Sequence, residues 1–315
     1  MRTIAFLGLG SIAKRHIRNL SVLLNQNGEE YTIDVYRHTL SPIEDDDIIG
    51  LVDTVYSENQ LELNDMIYDI IFVTNPTSKH FETIKKCVPY AKNMFIEKPV
   101  FSDCEEDISK LELKNDAAYY VACPLRHSSV FSYIRKEVKL DDVYSVRAIS
   151  SSYLPEWREG IDYRKSYSAH KAMGGGVGID LVHEWDYLVA LFGLPKQVVS
   201  VSGKFSNLEI DSDDIAAYLG VYDDKIIEVH LDYFGRETIR ECVFYTKDDT
   251  VVADFINGQI RFLKEGKIVD VFEERNSFMM NEIIHFLDIV DGKCENDSTI
   301  EHAVKILRIS LGKGV

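Results

Sequence analysis

The sequence predicts two dissimilar domains: a doubly wound α/β domain first, then an α+β domain built on a large, mostly antiparallel sheet. Three observations carry this expectation. A short apolar run at 4–7 leads straight into Gly8-x-Gly10-x-x-Ala13. Strand-like and helix-like stretches then alternate as far as Pro124, which implies a parallel sheet with right-handed crossovers. Beyond Pro124 the chain becomes a succession of runs rich in Val, Ile, Tyr and Phe, separated by Asp-Asp, Asn-Gly and Glu-Gly breaks of the hairpin kind. The expected domains are therefore 1–123 and 124–315.

Each element has a local reason. Ile4, Ala5, Phe6 and Leu7 suit a buried parallel strand. Gly8 permits the tight turn, Gly10 lets the backbone approach a pyrophosphate, and Ala13 lets the next helix pack close to the strand. Ile12, Ile17, Leu20, Leu23 and Leu24 then follow a helical spacing. The N–H groups of the first turn, at Ser11 and Ile12, would face phosphates from the positive end of the helix. This start predicts a Rossmann dinucleotide-binding domain. Strands at 31–36, 69–74, 93–97 and 118–123, with helices at 79–88 and 103–113, complete it, the second helix capped by Ser102 or Asp103. The second domain should hold helices at 131–138 and 178–192, the latter closed by Gly193 and Pro195. Its strands are expected at 143–153, 197–206, 214–222, 225–234, 239–247, 250–256, 259–264 and 267–272, with helices at 277–291 and 299–311.

At 315 residues the chain can bury a large core. Its formal charge of −17 disfavours nucleic acid and anionic membrane as partners. It does not exclude an anionic cofactor, because a local nest of N–H groups can bind phosphate within an acidic protein. Five scattered cysteines without a C-x-x-C pair point to reduced thiols and a cytoplasmic location. No apolar run has the length of a membrane span or the form of a signal peptide.

Three stretches carry chemistry. The second strand ends in Arg37-His38 where an acidic residue would suit NAD. A guanidinium there suits a 2′-phosphate, so NADP is the expected cofactor, with NAD as the alternative if Arg37 only stacks or stays in solvent. Glu97-Lys98-Pro99 follows a buried strand at the ligand-binding edge of an open sheet, where a lysine can serve as acid or base. Finally, Gly174-Gly-Gly precedes Asp180, His183 and Asp186, spaced so that they tend toward one helix face. The glycines would allow close backbone approach to a ligand. A carboxylate beside an imidazole makes a general base for an alcohol proton. A structural histidine is the rival reading, and no further Cys or His run supports a metal site.

Together these residues resemble the Gfo/Idh/MocA family of oxidoreductases, through Gly8-x-Gly10-x-x-Ala13, Thr74-Asn-Pro-Thr-x-x-His80, Glu97-Lys98-Pro99 and Gly174-Gly-Gly…Asp180…His183. The resemblance spans essentially the whole chain. It implies that Lys98 lies at the nicotinamide and the substrate, that Asp180 and His183 complete the site, and that Thr74, Asn75, Pro76 and His80 lie along the cofactor. Arg126 resembles an arginine that many members carry near the substrate. Asp180-Leu-Val-His183 is one residue shorter than the usual D-x-G-x-H, which leaves open whether Asp180 or Asp186 supports His183. The stretch from Leu154 to Tyr187 is similar to a branch linked to surface-sugar biosynthesis; it implies that Arg158, Tyr163, Arg164 and Tyr167 contact sugar hydroxyls or a phosphate, or else form a surface loop or a subunit contact. The implied activity is hydride transfer between nicotinamide and a secondary alcohol or ketone of a sugar or nucleotide-sugar. His183 would take the hydroxyl proton and Lys98 would bind the same oxygen, or the two would exchange these roles. A non-catalytic dinucleotide-binding regulator and a sugar enzyme with tightly held, recycling NAD(P) are the alternatives. The broad second sheet predicts a homodimer or homotetramer.

Overall fold

In the computed structural model, which describes residues 1–63 and 66–315, the chain divides into two units. The first comprises Met1–Phe101, Glu105–Ala122 and Met279–Ala303. Its elements are β1 (Arg2–Leu7), α1 (Ser11–Gln26), β2 (Tyr31–Arg37), α2 (Asp46–Ile49), β3 (Thr54–Ser57), β4 (Ile70–Val73), α3 (His80–Cys87), β5 (Met94–Ile96) and β6 (Tyr119–Val121). The strands form one parallel sheet in the order β3-β2-β1-β4-β5-β6, as expected for a doubly wound nucleotide-binding fold. Register aligns their ends: Leu7 pairs with Tyr36 and Val73, and Ile96 with Val73 and Val121. Gly8, Thr74 and Glu97 therefore leave the carboxyl edge of three adjacent strands. Phe6, Phe72 and Phe95 stack across the middle of this sheet, with ring centroids 4.5 and 5.0 Å apart.

The second unit comprises Ser102–Cys104, Cys123–Phe278 and Val304–Val315. It holds α4 (Ser129–Glu137), β7 (Val143–Tyr153), α5 (Val177–Asp180), α6 (His183–Phe192) and β8 (Gln197–Gly203). β9 (Ile215–Val221), β10 (Ile226–Asp232), β11 (Phe234–Thr246), β12 (Thr250–Asp254), β13 (Gln259–Phe262) and β14 (Lys267–Asp270) follow. Its eight strands run in the order β14-β13-β12-β11-β7-β10-β9-β8, all pairs antiparallel except β7 with β10. Alternation puts Val146, Ala148, Tyr218, Ile227, Val229 and Phe244 into a core shared with Trp185 and Leu188 of α6. The opposite face leaves Ile226 exposed, and with it Val199, Val201, Leu219 and Tyr245 around a groove of about 550 Å³.

Three expectations change. The stretch 103–113 is not an α-helix; it holds a single 3₁₀ turn, Ile108–Leu111. Asp107 caps that turn by accepting from the Ser109 N–H at 3.2 Å, and Glu112, at φ 52°, ends it. The expected helix 178–192 is broken: α5 ends at Asp180, Leu181 leaves helical geometry at φ −100° and ψ 33°, and α6 starts at His183. The division at 123 also omits the return of the chain. Within α7 (Arg275–Val290) it re-enters the first unit at Met279, and within α8 (Ile300–Ser310) it leaves after Ala303. The cause is packing: the Phe286 ring lies 6.0 Å from Phe72, 5.3 Å from Phe95 and 5.7 Å from Tyr120. Alongside, Val121 N–H donates to Ser298 O at 2.8 Å, and Ser298 Oγ donates to Val121 O at 2.7 Å. Residue 298 thus covers the edge strand β6.

Candidate active site

The glycine turn is forced by its neighbours. Gly8 sits at φ 103°, and a β-carbon there would lie 2.9 Å from the Asn75 backbone. Thr74 Oγ1 donates to Leu7 O at 3.2 Å and to Gly8 O at 3.1 Å, tying β4 to the turn. At Gly10 a β-carbon would meet nothing within 4 Å, so open space borders the backbone there. Gly10 caps α1 without a side-chain hydrogen bond, and the first turn (Ser11, Ile12, Ala13 and Lys14) holds no acid. Buried Ala13 supplies the close contact of the helix with the sheet. First-turn N–H groups uncapped by any side chain, an aligned dipole and open space fit a dinucleotide pyrophosphate.

At the end of β2, half-buried Arg37 donates to Ser41 O at 3.2 Å and to Ser41 Oγ at 3.2 Å. His38 pairs with Glu58 at 2.9 Å on the surface. Asp34, the nearest acid along β2, is buried and accepts from the Tyr68 hydroxyl at 2.8 Å. Burial, opposed by the Tyr68 and Thr54 hydrogen bonds, pushes its carboxyl above the usual range. Its charge is thus directed inward, away from a ribose site.

Beyond β5, two buried imidazoles hold the segment that contains Lys98. His80 lies between carbonyls: Nε2 is 3.0 Å from Asn75 O, and Nδ1 is 3.1 and 3.2 Å from Pro99 O and Val100 O. Burial pushes its pKa down despite these acceptors. Asn75 Nδ2 in turn donates to Thr83 Oγ1 at 2.7 Å. Pro76 precedes the short 3₁₀ turn Thr77–Lys79 that leads into α3. His16 of α1, which pattern reading passed over, sits with Nε2 2.5 Å from Glu97 Oε1. A histidine on the buried face of α1, among Ala13, Ile17, Leu20 and Leu24, was the available signal, because a buried imidazole needs a partner.

The second unit gathers its own group. Asp180 is buried at the end of α5 and accepts from Tyr233 Oη at 2.5 Å, with Tyr167 as a second phenol bonded to it. Burial, then the Asp180 charge, raises both phenols well above their usual range, so both stay protonated donors. Trp157 packs edge-on against Tyr233 at 5.2 Å, and Arg158 lies over the Tyr167 ring at 5.7 Å. His183 opens α6 half-buried, while Asp186, one turn on, takes a bidentate bond from Arg126 at 2.9 and 2.6 Å. Asp186 is thus engaged by a guanidinium, which leaves Asp180 as the carboxylate set among donors on this side. Arg164 bonds Asp162 and Glu209, and Tyr163 Oη accepts from Glu209 N–H at 3.2 Å. Within the triple glycine, Gly175 is packed against protein: a β-carbon there would lie 2.2 Å from Tyr167 O. At Gly175 the close approach is to the protein's own backbone beside Tyr167, whereas a β-carbon at Gly176 would meet only Asp213 N, at 4.0 Å.

An open parallel sheet, a glycine turn at its carboxyl edge and an uncapped helix start define a dinucleotide-binding Rossmann protein. Residues 2–122 match the oxidoreductase family Gfo/Idh/MocA in its NAD-binding Rossmann fold. Among sequence relatives, a D-xylose dehydrogenase of Paenarthrobacter nicotinovorans is 28% identical over 149 residues, 45% of this chain and 37% of that enzyme. The whole fold is similar to levoglucosan dehydrogenase, solved with NADH and levoglucosan, at a TM-score of 0.83, 13% identity, and coverage of 99% of this chain and 95% of that one. It is also similar to the WlbA dehydrogenase of Bordetella pertussis, solved with NADH and UDP-GlcNAcA, at a TM-score of 0.77, 13% identity, and coverage of 99% and 94%. No helix among the described residues is long and apolar enough to cross a membrane.

Proposed function

We propose that the protein is an NAD(P)-dependent dehydrogenase or reductase of a secondary alcohol in a sugar or nucleotide-sugar. The observation that carries this reading is the Glu97-Lys98 segment, pinned at the same sheet edge as the Gly8–Ala13 turn. The phosphate-binding residues are Gly8, Gly10, Ser11, Ile12 and Ala13, with Thr74, Asn75, Pro76 and His80 shaping the neighbouring loop. Glu97 and Lys98 stand at the nicotinamide end. Arg37 and His38 take the adenosine ribose, and the guanidinium favours a 2′-phosphate and so NADP. When bound, the nicotinamide accepts or returns the hydride.

The chain's own residues manage the proton and the charge. In the oxidative direction His183 removes the hydroxyl proton onto a ring nitrogen. The Lys98 ammonium donates a hydrogen bond to the same oxygen as its negative charge develops, and the carbonyl forms as the hydride leaves its carbon. Asp180, held by Tyr167 and Tyr233, supplies the negative charge that stabilises an imidazolium. Arg126, Tyr163 and Arg164 border the substrate side of the second unit. Relatives solved with levoglucosan and with UDP-GlcNAcA support a carbohydrate substrate.

The test is fluorescence titration with NADPH and NADH, followed by stopped-flow kinetics on a panel of free sugars and UDP-sugars. NADPH should bind more tightly, and Arg37→Ala should erase the preference. Lys98→Met and His183→Ala should each lower the hydride-transfer rate by about 10²–10⁴-fold without abolishing cofactor binding. Full rates in both variants would overturn the mechanism.

A further inference from the structure

The proposed mechanism gives no role to the buried imidazole of α1. His16 has no exposed surface, lies edge-on to Phe95 at 5.0 Å and packs on Phe72 at 5.8 Å. Its Nδ1 is buried and finds no hydrogen-bond partner among the described residues. The ring is therefore held by aromatic packing and by one polar bond, Nε2 to Glu97 Oε1 at 2.5 Å. The other oxygen of that carboxylate, Oε2, accepts the Lys98 backbone N–H at 3.2 Å. Glu97 is thus held at both oxygens, one by α1 and one by the residue that follows it.

A purely structural pair would be a costly choice here. A buried ion pair adds little stability over apolar residues of the same size, because desolvation offsets the attraction. The same pair next to a lysine has another effect: it keeps a negative charge in a defined place. Burial alone would raise the Glu97 carboxyl. The His16 bond outweighs it, with help from the charges of His16, Lys98 and His80, and holds the group below its ordinary value. The ionisable groups that act most strongly on Glu97 are His16 from α1, His80 from α3 and its own neighbour Lys98.

We propose that His16 is a positioning residue for Lys98, acting through the Glu97 carboxylate that it holds in place. With the imidazole bonded to it, Glu97 stays ionised and keeps the Lys98 side chain in its charged, hydrogen-bond-donating form. Without that bond, the buried carboxylate takes up a proton or turns away, and Lys98 loses its proton at lower pH. The consequence for turnover rests on the role given to Lys98 above, but the charge coupling itself does not.

The experiment therefore needs no substrate. Lysines of the full chain are reductively dimethylated with ¹³C-formaldehyde, and the Lys98 resonance is assigned by its loss in Lys98→Arg. Its titration midpoint is then followed by NMR in wild type, Glu97→Gln, His16→Phe and His16→Gln. Glu97→Gln should lower the midpoint by about one unit, a tenfold change in the ionisation constant. His16→Phe, which keeps the ring packing and removes the bond, should lower it equally. The double variant should fall no further than Glu97→Gln alone. His16→Gln, whose amide can still donate to the carboxylate, should titrate near wild type. A folded His16→Phe protein with the wild-type midpoint overturns the proposal. Should His16→Phe fail to fold, His16→Asn, too short to reach Glu97, takes its place with the same two outcomes. A shifted midpoint together with unimpaired turnover in Lys98→Met would sink the proposed reaction and leave this coupling standing.

Discussion

Tyr233 shows how much of the candidate chemistry depends on single hydroxyls. Its ring is fully buried, and its Oη donates to Asp180 at 2.5 Å. Removing that oxygen strips a donor from a buried carboxylate and gains nothing from water. Tyr233→Phe is expected to lower the unfolding free energy by about 1–3 kcal/mol, read from urea denaturation. An unchanged midpoint would mean that the Asp180 charge is satisfied elsewhere. At this scale the sequence is readable where a constraint is local. Gly8 is demanded by its own backbone angle, and Glu97-Lys98 follows directly from the end of a strand. His16 is not readable in the same way, since its partner lies 81 residues away and neither residue marks the other. The two tyrosines on Asp180 are hidden for the same reason, as they reach it from separate loops and strands.

Elements are held by local polar bonds as much as by apolar pattern. Between β8 and β9 the chain turns around Asp214, which has no exposed surface. It accepts from Phe205 N–H at 2.8 Å, Ser206 N–H at 2.9 Å and Ser206 Oγ at 2.5 Å, with Lys204 Nζ 3.2 Å away. Burial raises its carboxyl, but these bonds outweigh burial and hold it below the ordinary 3.8. As pH falls, the unfolded chain takes up this proton before the folded one does, so the stability contributed by Asp214 is full above that ordinary value. It is lost as pH drops through the lower folded value. Relative to Asp214→Asn, wild type should be more stable by about 1–3 kcal/mol at neutral pH, and the gap should close on acidification. Urea midpoints across pH 7 to about 2.5 measure this, and a gap that persists in acid would contradict it. Periodicity located most strands and helices because each carries its own alternation. It misread 103–113, where Cys104 and Leu111 are the only buried apolar residues, and it joined α5 to α6 because a break at Leu181 leaves no mark in an apolar run.

On the scale of the whole molecule, the exposed face of the eight-stranded sheet is an apolar surface that the proposed site does not use. Val199, Val201, Leu219, Ile226 and Tyr245 are each more than a third exposed along adjoining strands. A face of this kind is normally covered by a second chain, which supports the proposal of a homodimer or homotetramer. Light scattering on the purified protein should give a mass of at least two chains. Val201→Asp with Leu219→Glu should shift it toward one chain while the circular dichroism stays unchanged. A wild-type monomer at micromolar concentration would contradict this. What the sequence could not convey at this scale is membership. The apolar stripe of α7 is equally compatible with either sheet, and contacts such as those of Phe286 with Phe72, Phe95 and Tyr120 assign its part from Met279 on to the first.

That assignment bears on the order in which the molecule is made. The nucleotide-binding sheet takes its strands from the first 121 residues, yet its edge strand β6 is closed by Ser298 and its centre by Phe286. A ribosome that has delivered every strand of that sheet has still delivered neither cover. The nascent chain must carry an open strand edge and a bare aromatic hollow through the synthesis of Cys123–Phe278, the bulk of the second unit. The cradle for the cofactor, encoded first, is therefore among the last parts of the molecule to be completed.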